Sequence, residues 1–71
     1  MDCYLGIDIG SVSSNLVLID GNCQLVEKVY LRTQGNPVKA VKEGFALLLE
    51  RRGQNSINIL GVGTTGSGRY L

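Results

Sequence analysis

One segment of this sequence has the signals of an α-helix, and its position between strand-like segments limits the possible folds. Asn36 is a residue type that caps helices, and Pro37 suits the first helical position. Apolar residues then recur at helical spacing up to Gly53, which favours a helix end. Three strand-like segments precede this helix and one follows it. The helix must therefore cross over the sheet, so that the last strand lies parallel to an earlier one.

The first strand is predicted from a clear alternation over residues 4–9. Apolar side chains would occupy one face of this strand, and the other face would carry almost no side chain except the carboxylate of Asp8. The apolar set is Leu5, Ile7 and Ile9, and the opposite set is Gly6, Asp8 and Gly10. Glycines on a strand often mark a place where a ligand or another backbone comes close.

Three further strands complete the predicted sheet. The unbroken apolar run Leu16–Ile19 is typical of a strand buried on both faces. Residues 20–22 (Asp-Gly-Asn) favour a hairpin into a third strand over Leu25–Arg32. The fourth strand would cover Ile57–Val62. The sequence thus predicts a single α/β domain over residues 1–71, with a β-β-β-α-β mixed sheet of order 3-2-1-4 and the helix on one face.

Composition narrows the class of protein. The chain has 71 residues, a formal charge of +1 and no histidine. A near-neutral charge argues against nucleic acid or a membrane surface as the main partner. Because no long apolar stretch or secretory signal is visible, the expected location is the cytoplasm. Cys3 and Cys23 are read as small buried apolar residues, since a disulfide would be unusual there, although a hairpin would bring both to one end of the sheet.

The first turn, Gly10–Asn15, has the composition of a phosphate-binding loop. Glycine lets the backbone approach a ligand closely, and Ser11, Ser13 and Ser14 would add hydroxyl donors. Asp8, just before this turn, could hold a hydrated Mg2+ beside the phosphates. The alternative is a polar hairpin turn in which Asp8 accepts hydrogen bonds from backbone N–H groups.

The last segment contains a GxGxxG spacing at Gly61, Gly63 and Gly66. This spacing resembles a dinucleotide fingerprint, but the fingerprint should open a helix and follow the first strand of its unit. Here a three-stranded meander and a helix come first. A glycine-rich loop in which Arg69 is simply solvated is the other alternative. In the predicted topology this loop and the first turn leave the same edge of the sheet.

Together the two segments resemble a known superfamily. YLGIDIGSVSSNLVLID, residues 4–20, resembles the first phosphate motif of the actin-like ATPases, which open with the same β-β-β-α-β order. GTTGSGRYL, residues 63–71, resembles a TGxGR segment in the N-terminal lobe of the BadF/BadG/BcrA/BcrD ATPase family. Members of that family activate 2-hydroxyacyl-CoA dehydratases and benzoyl-CoA reductases.

The resemblance implies roles for particular residues. Asp8 would lie near Mg2+ and the nucleotide phosphates, as the one catalytic and metal-binding residue. The residues implied in binding phosphate or in the TGxGR segment are Gly10, Ser11, Ser13, Ser14, Thr65, Gly66, Gly68 and Arg69. Asn15 departs from the pattern, because related sequences often have lysine there.

The resemblance also implies a function for a longer parent protein. The parent would bind ATP and Mg2+, form a homodimer, carry a [4Fe-4S] cluster whose ligands are not in this chain, and pass an electron to a dehydratase or reductase component. The 71 residues would be part of one lobe and inactive alone. The alternatives are a lobe of a sugar or acetate-type kinase, and a small interaction domain that is not an enzyme.

Overall fold

The computed structural model describes residues 1–53 and 56–66, which form five elements of regular structure. In chain order these are β1 (Asp2–Ile9), β2 (Ser13–Asp20), β3 (Leu25–Arg32), α1 (Pro37–Arg52) and β4 (Asn58–Thr65). The strands form one sheet of order β3-β2-β1-β4. β1 pairs antiparallel with β2 and parallel with β4, and β2 pairs antiparallel with β3. The α/β class, the element order and the sheet order predicted from the sequence are confirmed.

The helix begins and ends where the sequence predicts. The Asn36 side chain accepts a hydrogen bond from the backbone N–H of Lys39 at 3.2 Å, and Pro37 is the first helical residue. At the other end, the N–H of Gly53 donates to the carbonyl of Leu49 at 2.7 Å, and Gly53 has a φ of +83°. Within the described residues, no helix has the length and apolar character needed to cross a membrane.

The core lies between α1 and one face of the sheet. The helix contacts β2 and β3 most extensively. Buried side chains from three strands meet Leu48 of the helix in this layer, and they are Cys3, Leu5, Leu16, Leu18 and Val29. The opposite face of the sheet has no helix over it in the described part of the chain. It is called the open face below.

The prediction that the second strand is buried on both faces is wrong. Leu16 and Leu18 are buried beneath α1, whereas Val17 and Ile19 on the open face are only partly buried. The single helix covers one face, so a run of apolar residues with the strand period of two is divided between a covered and an uncovered side. The apolar run therefore indicated a strand but not its surroundings.

Strand ends also differ from the sequence-based bounds. β2 begins at Ser13 rather than at Leu16, which shortens the first turn. β4 extends to Thr65, because its parallel pairing with β1 continues until Thr65 lies opposite Asp8. Backbone pairing with a neighbouring strand, rather than side-chain pattern, sets these ends.

Both cysteines have free thiols, and their environments differ. Cys3 lies opposite Asp20 in the β1–β2 register, so it is at the hairpin end of the sheet near Cys23. Cys3 is completely buried in the core, as predicted, but Cys23 is exposed in the hairpin, contrary to the prediction that both are buried. Cys23 has a φ of +62° and lies in the turn between β2 and β3, where residues 21–24 are all exposed.

Candidate functional site

The candidate site is centred on Asp8, near the carboxyl end of β1. Asp8 lies opposite Asn15 of β2 and opposite Thr65 of β4 in the sheet register. Side chains paired across neighbouring strands project from the same face, so these three groups share the open face. The structure thereby brings together a carboxylate, an amide and a hydroxyl at one edge, with Asp8 and Thr65 exposed.

Gly66, immediately after β4, closes one side of this group. A β-carbon at Gly66 would lie 2.7 Å from Oδ1 of Asp8 and 2.4 Å from the carbonyl oxygen of Ile9. Its φ of +90° is also a conformation that favours glycine. The backbone after β4 therefore passes directly against the Asp8 carboxylate. The turn after β1 and Gly66 lie at the same sheet edge, as the parallel β1–β4 pair requires.

The turn after β1 is compact. The N–H of Gly10 donates to the carbonyl of Ser13 at 2.9 Å, which closes residues 10–13 into a turn. Ser11 is exposed, and Ser13 is partly buried at the start of β2. Within the described residues, the amides of Ser11 and Val12 donate no hydrogen bond. This turn has N–H groups and a hydroxyl available for an anion.

Ser14 is separated from the rest of the predicted phosphate loop. It lies opposite Ile9 in the register and on the same side of β2 as Leu16, which is the side under the helix. The residue is completely buried, and its Oγ lies 2.8 Å from Oγ1 of Thr33. Its hydroxyl is thus part of the protein interior rather than of the surface that carries Asp8.

Thr33 is the residue that sequence reasoning missed. It follows β3 directly, and it contacts the first turn as well as Ser14. Its partner Gly10 is 23 residues earlier in the chain. No local pattern connects two positions so far apart, and a lone threonine between a strand and a helix cap is typical of an ordinary loop. The one available signal was the predicted β2–β3 hairpin, which places the residue after β3 near the start of β2 and so near the first turn.

The open face beside Asp8 carries few side chains. Gly6 of β1 and Gly63 of β4 are paired in the register and present no side chain, while Val17 of β2 lies next to them. These residues line a shallow depression that reaches Asp8 and Thr65. A flat or extended ligand could therefore contact the sheet backbone here.

The carboxylate of Asp8 fits a Mg2+ site only if phosphate oxygens and waters complete the coordination. Among residues 1–53 and 56–66, no group of three or more metal-binding side chains is found. Mg2+ in nucleotide sites is commonly held by one or two carboxylates, waters and the phosphates themselves. Asp8 alone can meet that requirement. The two cysteines of the chain do not fit a [4Fe-4S] cluster, which needs four thiolates.

Gly68 and Arg69 of the predicted TGxGR segment lie outside the described residues. Thr65 and Gly66, which begin that segment, are at the Asp8 edge.

A scan against models of protein families and a search of curated proteins find no match for this chain.

Proposed function

We propose that this chain supplies the nucleotide-phosphate-binding part of an ATP-hydrolysing activase, of the kind that drives electron transfer to a 2-hydroxyacyl-CoA dehydratase or related reductase. The observation that supports this most is the approach of Gly66 to the carboxylate of Asp8. That approach joins two segments rich in glycine, serine and threonine around one acidic group. The resemblance of both segments to the actin-like ATPases supports the choice of ATP.

The proposal assigns a distinct role to each side of the edge. The N–H groups of Ser11 and Val12 and the hydroxyls of Ser11 and Ser13 would donate to phosphate oxygens. Asp8 would hold hydrated Mg2+ beside those oxygens. Gly66 would let the second segment approach the same phosphates, because it has no side chain to keep them away. Gly68 and Arg69 would extend this second segment.

In this proposal the described residues would form one side of a nucleotide site. Phosphoryl transfer depends mainly on positioning and on stabilising charge around the transferred group. We therefore expect this chain alone to bind Mg-ATP weakly and not to hydrolyse it. In the proposal, the adenosine site, the second phosphate motif and the iron–sulfur cysteines belong to a longer, cytoplasmic, homodimeric protein that acts on its dehydratase or reductase partner.

An NMR titration of the 15N-labelled chain tests the proposal directly. With Mg-ATP we expect amide shifts at Gly10–Ser13 and Thr65–Arg69, and none there with NAD. Shifts confined to the second segment with NAD would favour a dinucleotide site instead. Silence with both ligands would reject phosphate binding by this chain.

Replacing Asp8 by asparagine tests the proposed role of the carboxylate. The Asp8→Asn variant keeps the shape and loses the charge, so we expect Mg-ATP affinity to fall about tenfold and the Mg2+ dependence to disappear. Asp2→Asn is the matched control, because Asp2 is an exposed carboxylate at the other end of the same strand. Loss of folding in Asp8→Asn, measured by circular dichroism, would indicate a structural role for Asp8 instead.

One observation favours a second function, a small interaction domain. Tyr4 and Tyr30 are 42% and 62% exposed, and both belong to strands whose alternate residues face the core. Aromatic side chains on an uncovered sheet face are typical of contact surfaces. Sedimentation velocity with and without Mg-ATP separates the two functions. Stable association that ignores nucleotide would favour the interaction domain.

A further inference from the structure

Thr33 connects the turn after β1 to the start of α1. Its backbone N–H donates to the carbonyl of Val12 at 2.9 Å, and its hydroxyl donates to the carbonyl of Gly10 at 2.8 Å. Its own carbonyl accepts from the N–H of the helix cap residue Asn36 at 3.0 Å. One residue therefore holds two carbonyls of the turn and the cap of the helix.

The direction of the remaining bond follows from counting protons. A threonine hydroxyl has one hydrogen, and in Thr33 that hydrogen goes to Gly10. Ser14 must therefore be the donor in its 2.8 Å contact with Oγ1 of Thr33. The result is a directed chain of hydrogen bonds from Ser14 through Thr33 to the Gly10 carbonyl. Ser14 is completely buried and Thr33 is 4% exposed, so water cannot readily replace either partner.

We infer that Thr33 is the positioning residue for the phosphate-binding turn. The Gly10 carbonyl and the Ser11 N–H belong to one peptide group and point in opposite directions, so holding this carbonyl directs the Ser11 amide away from Thr33. The bond from the Thr33 N–H to the Val12 carbonyl restrains the other end of the turn. The relevance of this to phosphate rests on the proposed function. The restraint on the turn does not, since it follows from the hydrogen bonds alone.

A pair of variants separates the hydroxyl from the rest of the side chain. Thr33→Val keeps the branched shape and the backbone N–H but removes the hydroxyl, which leaves the Gly10 carbonyl and the Ser14 hydroxyl without their partner. Thr33→Ser keeps the hydroxyl and tests rescue. Ser14→Ala is the matched control, because it removes the other half of the chain of bonds and leaves the Thr33–Gly10 bond intact.

Amide hydrogen exchange without any ligand is the first measurement. The Gly10 amide reports the turn, since it donates to Ser13 within it, and the Leu48 amide of α1 reports unfolding of the whole domain. We expect the ratio of the Gly10 rate to the Leu48 rate to rise about tenfold in Thr33→Val. In Thr33→Ser and Ser14→Ala it should stay within about twofold of the wild type. An unchanged ratio in Thr33→Val would overturn the inference, because a merely structural role would change both rates alike.

Mg-ATP affinity is the second measurement, made on the same samples. We expect the dissociation constant to rise about tenfold in Thr33→Val and to return near the wild-type value in Thr33→Ser. Equal affinity of the wild type and Thr33→Val would overturn the link to phosphate even if Gly10 exchanged faster. If the wild type does not bind Mg-ATP, the proposed function fails, and the exchange ratio alone decides whether Thr33 positions the turn.

Discussion

At the scale of single residues, Gly66 is the described glycine at which an added β-carbon would have least room. A β-carbon there would come within 2.4 Å of the Ile9 carbonyl oxygen and within 2.7 Å of the Asp8 carboxylate. Its positive φ adds a second reason for glycine, because side chains disfavour that conformation. The short distances to Ile9 and Asp8 and the positive φ are two separate reasons for glycine at the position where the end of β4 meets the end of β1.

Gly66→Ala should therefore damage both stability and the site. We expect a loss of about 1–3 kcal/mol in the free energy of unfolding, measured by urea denaturation, because backbone must move to admit the methyl group. The Mg-ATP shifts at Thr65 should also weaken. Gly63→Ala is the control, since a β-carbon at Gly63 meets nothing within 4 Å. Similar stability of the two variants would show that the close approach at Gly66 is easily relaxed.

At the scale of elements, α1 depends on one glycine in its interior. Gly44 costs about 1 kcal/mol of helix propensity relative to alanine. A β-carbon at this buried position would lie 2.7 Å from Cδ1 of Leu16 and 3.0 Å from Cδ1 of Leu31. The missing side chain lets the helix lie close against β2 and β3. Close packing between elements therefore opposes the local preference of the helix at this position.

Gly44→Ala tests which of these effects is larger. We expect the free energy of unfolding to fall by about 1–2 kcal/mol, because displacing two packed leucines costs more than the propensity gained. Thermal or urea denaturation measures this. Lys42→Ala, at an exposed position of the same helix, should change stability by less than about 0.5 kcal/mol. A stability increase in Gly44→Ala would mean that the leucines repack at little cost.

At the scale of the whole molecule, the described residues form one helix and one sheet, and the helix covers one face of that sheet. The Cα radius of gyration is 11.6 Å, close to the roughly 11 Å expected of a compact chain of this length. Cys3 is completely buried in this core, and Cys23 is exposed outside it. Reaction of the Cys23 thiol therefore reports access at the surface, and reaction of the Cys3 thiol reports opening of the whole domain.

Thiol labelling of the native protein should proceed in two phases. Cys23 should react with a thiol reagent at the rate of an exposed cysteine, and Cys3 only as fast as the domain opens. Mass spectrometry after timed quenching follows both sites. Cys23→Ser should remove the fast phase and leave the slow one. Equal labelling rates for the two cysteines would contradict a core closed over Cys3.

Local signals in the sequence determined the elements and their order. Asn36, Pro37 and Gly53 bound the helix correctly, because capping groups and backbone conformation act within a few residues. The alternation in residues 4–9 likewise indicated β1, and residues 20–22 indicated the hairpin between β2 and β3. A helix between strands then left few ways to arrange the sheet, so the order β3-β2-β1-β4 and the shared edge of the two polar segments followed.

The roles proposed for Asp8, Gly68 and Arg69 remain predictions from composition and resemblance. Gly68 and Arg69 lie outside the described residues. The placement of Asp8 beside Thr65 supports its proposed role without testing it. The titration and the Asp8→Asn variant provide that test.

Only the tertiary structure decided which polar groups lie on the surface that carries Asp8 and which are buried beneath it. Serine is a residue type common in loops, and the sequence predicted Ser14 in the first turn. The strand period of two along β2 instead places Ser14 beneath the helix, on the same side as Leu16. Its partner Thr33 belongs to a distant part of the chain. Because hydrogen bonds between remote segments depend on how strands pair and not on neighbouring residues, the Ser14–Thr33–Gly10 chain of bonds is visible only in the folded molecule.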